Sequence, residues 1–290
     1  PMQGKAVVTQ IAKGVPTIVI APAVGTAAFG LMLWGQTVGS KLLFLFEPFR
    51  RVAFNHLCRT TQDAVRSRVY GRYLGLGVTS IGAWAILVDG LGESFLLALY
   101  GQKWAGGLTV ATLAAVAATV SVAAQFASLL LDAMGRPAKG LGVVILRTAL
   151  ALSFAALVVP QIGILAGPIV WLVMSVFSTA LLSVLASRST LYQSCRSLLT
   201  YAVAVGLGLL LARVTSGAIG SSLLATLLAT SVGLIAYTTI AYLLTPAEDR
   251  RWLTGNFART FTSARKTLRR FRAAIRSTDA ATNFSSGEVK

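Results

Sequence analysis

Two cations interrupt otherwise apolar stretches of this chain. Lys41 lies in GTAAFGLMLWGQTVGSKLLFLFEPFRR (Gly25–Arg51), and Arg147 lies in LGVVILRTALALSF. A Lys or Arg at the centre of a bilayer costs about 2.5–3.5 kcal/mol on insertion scales, and less near a helix end. Such a side chain has two outlets. It snorkels to the headgroups along its apolar stem, or it faces a wet, low-dielectric cleft and draws an anionic group there. Lys41 has small or polar neighbours in Gly35, Gln36, Gly39 and Ser40. Arg147 follows apolar residues and has Thr148 beside it. On that basis Lys41 is the stronger expected ligand for an anion, although both outlets stay open for both residues.

No enzymatic constellation accompanies them. The single histidine, His56, stands near Cys58 without a third metal ligand. One histidine so placed builds no Ser-His-Asp arrangement, and there is no Walker A lysine motif. No cofactor is expected, and the chain does not read as an enzyme.

The elements that position these cations follow from composition. The chain has 290 residues, of which 55% are hydrophobic and 12% charged. A soluble domain carries about twice that charge. Long apolar runs alternate with short basic clusters, the pattern of an all-α, polytopic membrane protein whose spans need ~20 apolar residues each. The runs are too long and continuous for barrel strands. The net charge of +17 therefore marks loops on one side of a membrane, and nucleic acid is not an expected partner. Cys58 and Cys195 fall in segments placed on that side and are expected as free thiols. The chain opens at Pro1 without a signal-peptide pattern. Residues 1–20 read as the end of a truncated helix, so a longer protein is expected.

Within residues 21–245 the apolar runs predict seven spans, at about 22–46, 73–88, 107–131, 141–159, 164–186, 197–212 and 221–244. Pro160 and a turn at Gly163 are expected to close the fourth. Loops 47–72, 132–140 and 187–196 and the tail from residue 246 contain six, two, two and ten Lys or Arg residues. The intervening loops 89–105, 160–164 and 213–220 contain one, none and one. This alternation places the basic loops and the C-terminus in the cytoplasm. Asp89 and Glu93 lie in the opposite loop, where a solvated position is expected and a coupling-cation site is the alternative, beside an apolar turn Phe95–Tyr100 and an interfacial pair Lys103–Trp104. Gly35-x-x-x-Gly39 and Gly71-x-x-x-Gly75 predict close helix approaches.

Residues 246–276 form a separate element. Thr245-Pro246-Ala247-Glu248 is a helix-start signal. Trp252, Leu253, Phe257, Phe261, Leu268, Phe271 and Ile275 then recur mostly three or four apart, with Arg265, Arg269, Arg270 and Arg272 among the residues between. This predicts a basic amphipathic helix on anionic membrane lipids, against the plainer reading of a basic tail that only sets topology. Residues 277–290 read as disordered.

Four stretches together resemble the C-terminal half of the bacterial oligosaccharide flippases, of the multidrug/oligosaccharidyl-lipid/polysaccharide exporter superfamily. They are VGTAAFGLMLWGQTVGSKLLFLFEPFRRVAF, LLALYGQKWAGG, DAMGRPAKGLGV and VVPQIGILAGPIVWLV. Their order and spacing agree over roughly residues 8–186, with departures at Phe29 and at Glu47-Pro48-Phe49. The resemblance implies two six-helix lobes around a central cavity, this chain holding most of the second lobe plus two further helices. It implies export of a polyprenyl-pyrophosphate-linked glycan across the inner membrane, for O-antigen, capsule or exopolysaccharide, with glycosyltransferases or a polymerase as possible partners. Lys41 and Arg147 would then hold the pyrophosphate, and Trp34, Gln36 and Gln125 would line the sugar path. Bonding between neighbouring helices is the competing role for these polar residues. Two other functions stay open: a cation-coupled multidrug exporter, which usually needs an intramembrane carboxylate that no span here shows, and a non-transporting scaffold for glycan assembly.

Overall fold

A computed structural model describes residues 7–8, 20–219 and 223–252. Among these residues every regular element is helical. Residues 20–24 are helical and Gly25, at φ 80°, breaks the chain before α1 (Thr26–Ser40). A 3₁₀ segment, Lys41–Leu45, joins α1 to α2 (Phe46–Arg59) with a 44° bend. There follow α3 (Asp63–Leu91), a π turn at Gly92–Leu96, the short α4 (Leu97–Tyr100) and a 3₁₀ segment at Gln102–Gly107. Then come α5 (Leu108–Ala133), α6 (Pro137–Ile162), a 3₁₀ turn at Gly163–Leu165, α7 (Ala166–Ala186), α8 (Arg188–Ile219) and α9 (Leu223–Leu244).

Five helical runs among the described residues are long and apolar enough to cross a membrane, or six if the bent α1–α2 pair counts as one. The protein is therefore a multi-pass helical membrane protein in composition and element length. One run, Pro137–Ala186, is 50 residues long. As one straight helix it would measure about 75 Å at 1.5 Å per residue, far beyond a bilayer. Instead α6 and α7 reverse at Gly163 and lie against each other. Ala151, Ala155 and Val159 join one buried cluster with Ala166, Val170 and Met174.

The turns are written in local chemistry. At the end of α5 the amide of Gly135 donates to Asp132 and that of Arg136 to Leu131. Gly135 takes φ 72° and Gly163 φ 57°, left-handed values that suit a residue without Cβ. Pro137 then opens α6 at a position where no amide is missed.

The expected boundaries shift in one direction. Residues 47–72 are largely helical, as are 89–105 and 188–196. The sixth span, expected at 197–212, is Arg188–Ile219, and α6 runs through Pro160 to Ile162. Hydropathy marks the apolar middle of a helix, whereas hydrogen bonding carries the helix on through its polar ends.

α5 is the axis of the bundle. Its buried residues occur on every side and are mostly small. Gly35 and Gly39 of α1 bring that helix onto it: a methyl at Gly39 would stand 2.5 Å from the Ala111 carbonyl and 2.7 Å from the Ala115 nitrogen. The expected Gly71/Gly75 approach is not of this kind. Gly71 faces only the flexible side chain of Gln193, and Gly75 has nothing within 4 Å.

At the arginine-rich end three buried hydroxyls form a chain. Tyr70 and Ser194 share a hydrogen bond of 2.6 Å, and Ser194 and Ser183 one of 2.8 Å, linking α3, α8 and α7. Tyr70→Phe removes one member and leaves the others in an apolar setting. The expected cost is about 1–3 kcal/mol, read as a lowered unfolding midpoint in detergent, with Ser153→Ala on an exposed face as the neutral control.

By contact density the chain divides into Pro1–Ala241 and Tyr242–Lys290, the boundary falling in the last turns of α9. In the second unit a helix is present over residues 247–252, where the Arg250 amide donates to the Pro246 carbonyl. The Arg250 guanidinium lies 5.3 Å from the Tyr242 ring centroid. Trp252 is helical and half-buried. The helix start expected at Thr245–Glu248 agrees with this. The remainder of the expected amphipathic helix, including Phe257, Phe261, Arg265, Arg269, Arg270 and Arg272, and the tail 277–290, lie outside the described residues.

Candidate functional site

Helix contacts set the depth of each candidate residue. A methyl at Gly107 would meet the Trp34 ring and the Leu31 carbonyl, and one at Gly167 would meet Met32 and Gln36. The starts of α5 and α7 therefore share one level on α1. Here Trp34 stacks on Trp104 at 5.3 Å and meets the edge of Tyr100 at 5.5 Å. Tryptophan and tyrosine concentrate at membrane interfaces, so this cluster marks one face. From that level Thr179 lies about 18 Å along α7 and Ser121 about 21 Å along α5. Arg147 and Thr179 are each sixteen residues from Gly163 on the two arms of the hairpin, which puts them at the same depth.

Arg147 belongs to the inward stripe of α6. Gly140, Val143, Ala151, Ala155 and Val159 are the buried residues of that helix, and Arg147 fills the gap in their three-to-four-residue spacing. It is half-buried and makes no hydrogen bond or ion pair with the described residues. The neighbouring α7 carries Ser175, Ser178, Thr179 and Ser183, all buried. Ser178 and Thr179 donate back to the carbonyls of Met174 and Ser175. The Ser175 hydroxyl is buried and has no partner among the described residues.

On α5, one turn beyond Ser121 towards the arginine-rich end, Gln125 is also half-buried. Its carbonyl oxygen accepts from Arg50 Nη1 at 3.3 Å, and its amide reaches Ser121 Oγ at 3.5 Å. Arg50 also pairs with Glu47 at 3.1 Å. The sequence reading gives Arg50 only to topology. Here it reaches from α2 to α5, to a level about 9 Å, nearly two turns, beyond that of Arg147. The α7 hydroxyls are also absent from the sequence reading, although their spacing of three, one and four residues puts them on one helical face.

The other expected site residues lie elsewhere. Lys41 is exposed and continues the outward row Leu33, Thr37, Lys41, Phe44, all exposed. On a face with Leu33 and Phe44 it has the setting of a snorkelling lysine. Trp34 belongs to the aromatic cluster, its Nε1 buried and without an acceptor among the described residues. Gln36 is half-buried against Gly167. Arg147, the α7 hydroxyls, Ser121, Gln125 and Arg50 thus belong to inward or inter-helix positions between the aromatic cluster and the arginine-rich end, whereas Lys41 lies on an outward face and Trp34 in the aromatic cluster.

Asp89 corrects an expectation. Rather than a solvated loop residue, it is a largely covered carboxylate at the end of α3. It pairs with Arg213 of α8 at 3.0 and 3.2 Å and accepts from Thr112 of α5 at 3.5 Å. Both charged partners fall on the side opposite the arginine-rich loops, in keeping with the alternation of loops read from the sequence. No group of three or more metal-ligating side chains occurs among the described residues. Cys58 and Cys195 are exposed, unpaired thiols. Comparison of the chain with protein-family models, with curated proteins and with solved structures gives no match.

Proposed function

We propose that the chain is one lobe of a flippase that carries a lipid-linked anionic glycan across the bacterial inner membrane, with its arginine-rich ends and C-terminus in the cytoplasm. Arg147 carries this reading. A half-buried arginine on the inward stripe of an apolar helix, without a counter-charge among the described residues, is costly, and an anionic ligand that visits the site offsets the cost. The Ser175 hydroxyl, buried and without a partner among the described residues, would supply a neutral hydrogen bond, and Arg50, nearly two turns nearer the arginine-rich end, a second cation. Two guanidiniums suit a diphosphate better than a single carboxylate, because planar forks bind phosphate oxygens in pairs. The polyprenyl chain would remain in the bilayer along the apolar outer faces of the helices.

A cation-coupled drug exporter fits less well. It needs a free carboxylate within the spans, and Asp89 at the end of α3 is already paired with Arg213. A scaffold for glycosyltransferases or a polymerase would give no use to an unpaired inward arginine.

The test is direct. The full-length protein, reconstituted in vesicles, should accelerate movement of a fluorescent polyprenyl-diphosphate-linked oligosaccharide between leaflets, scored by accessibility to a membrane-impermeant quencher. A rate equal to that of protein-free vesicles would rule out the flippase reading.

A further inference from the structure

The segment between α3 and α5 does not continue the α3 axis. The indole of Trp84 donates to the Val38 carbonyl at 3.0 Å, fixing the level of Trp84 on α1. Tyr100 is sixteen residues later. A straight helix would carry it about 24 Å beyond Val38. Yet its ring rests against Trp34, only four residues, or about 6 Å, from Val38 along α1. The segment therefore turns at the π element Gly92–Leu96 and runs across the end of the bundle.

Its contacts trace the route. Ser94 donates to Thr226 of α9 at 3.1 Å. Gly92 faces Leu108 of α5, Leu96 packs on the Val38, Val88 and Ala111 cluster, and Tyr100 reaches Trp34 of α1. The crossbar thus extends from α9 to α1. One side of it is held by the bundle. The other side is apolar and uncovered: Phe95 is 56% exposed, Leu99 64% and Tyr100 44%. Polar residues flank this patch, with Glu93 and Gln102 exposed and the Lys103 ammonium 5.8 Å from the Trp104 ring centroid.

We infer that this crossbar is an interfacial foot, lying in the leaflet opposite the arginine-rich ends. Phe95, Leu99 and Tyr100 enter the boundary between acyl chains and headgroups, while Gln102 and Lys103 stay in the headgroup layer. A lipid surface is the occupant for two reasons. The patch is continuous with helices long and apolar enough to face lipid. Its order is also that of an interfacial element: large apolar and aromatic residues on one face, and Lys103 and Trp104 at the polar margin. The foot fixes how deeply the bundle sits, independently of what the protein transports.

The experiment places nitroxide labels at Leu99→Cys, Gln102→Cys and Val203→Cys, each in a Cys58→Ser/Cys195→Ser background of the full-length protein in vesicles. Collision rates with oxygen and with a water-soluble nickel chelate report depth. Val203, exposed near the middle of α8, is the acyl-core reference. The expected result at Leu99 is an oxygen-to-nickel ratio between the two references, corresponding to a depth of ~5–10 Å. A nickel collision rate at Leu99 equal to that at Gln102 would place the patch in water. A ratio equal to that at Val203 would place it in the acyl core, and protection from both reagents would mean that protein covers it. Each of these three results overturns the inference.

Discussion

Gly39→Leu should abolish the folded bundle. The first carbon of the new side chain would stand 2.5 Å from a backbone carbonyl of α5 and 2.7 Å from both a backbone nitrogen and the Ala114 methyl. No rotamer relieves a clash at Cβ, so α1 must move away from α5. Overpacking in a well-filled interior costs about 1–3 kcal/mol when side chains yield; here backbone must yield, and the effect should exceed that range. Loss of the monodisperse peak on size exclusion in detergent is the expected readout. Gly30→Leu and Gly75→Leu are the controls, since a Cβ at either glycine would meet nothing within 4 Å beyond the backbone of its own helix. If Gly39→Leu elutes and unfolds like these controls, the close approach of α1 to α5 is wrong.

Arg147→Ala should reduce flipping of the diphosphate-linked substrate by roughly 30-fold or more, from a loss of ~2–5 kcal/mol when one member of a desolvated, hydrogen-bonded charge pair is truncated. Unfolding of the variant should not be easier than that of the parent, because an uncompensated charge is removed from the inward stripe. The combination of lost transport with retained or raised stability distinguishes a ligand-binding arginine from a structural one. Arg147→Lys should recover part of the rate, since the charge returns without the planar fork. Lys41→Ala, on the outward row, should leave transport within a few-fold of the parent. Equal losses from Lys41→Ala and Arg147→Ala would refute the assignment of the two cations to opposite faces.

The contrast between these two cations shows what the sequence carries. Both stand in apolar runs, and the neighbours of Lys41 along the chain are the more polar. What decides their setting is the face of the helix. Arg147 follows Gly140 and Val143 and precedes Ala151 and Ala155, a row of small residues that could have been recognised as a packing stripe. Lys41 shares its row with Leu33 and Phe44, which only the packing of α1 on α5 identifies as outward. The helical class and the approach at Gly35 and Gly39 were legible, because apolar length and small-residue spacing act locally. The reach of Arg50 to Gln125 and of Arg213 to Asp89 was not, since each joins residues 75 or more positions apart. The helical ends at residues 47–59 and 188–196 were also hidden, because a polar helix and a polar loop have the same hydropathy.

The composition of α5 has an entropic consequence. Eight of its buried residues are alanines, Ala111, Ala114, Ala115, Ala117, Ala118, Ala123, Ala124 and Ala127. An alanine has no rotamers to surrender when neighbours close around it, whereas a leucine gives up about 0.5–1 kcal/mol of side-chain freedom. Eight leucines in these places would forfeit ~4–8 kcal/mol before any contact was made. In lipid, where no hydrophobic gain drives one helix against another, that difference is large. The central helix gathers its neighbours at little cost in side-chain order, and its low-relief surface presents few interlocked groups to resist a neighbour that shifts along it.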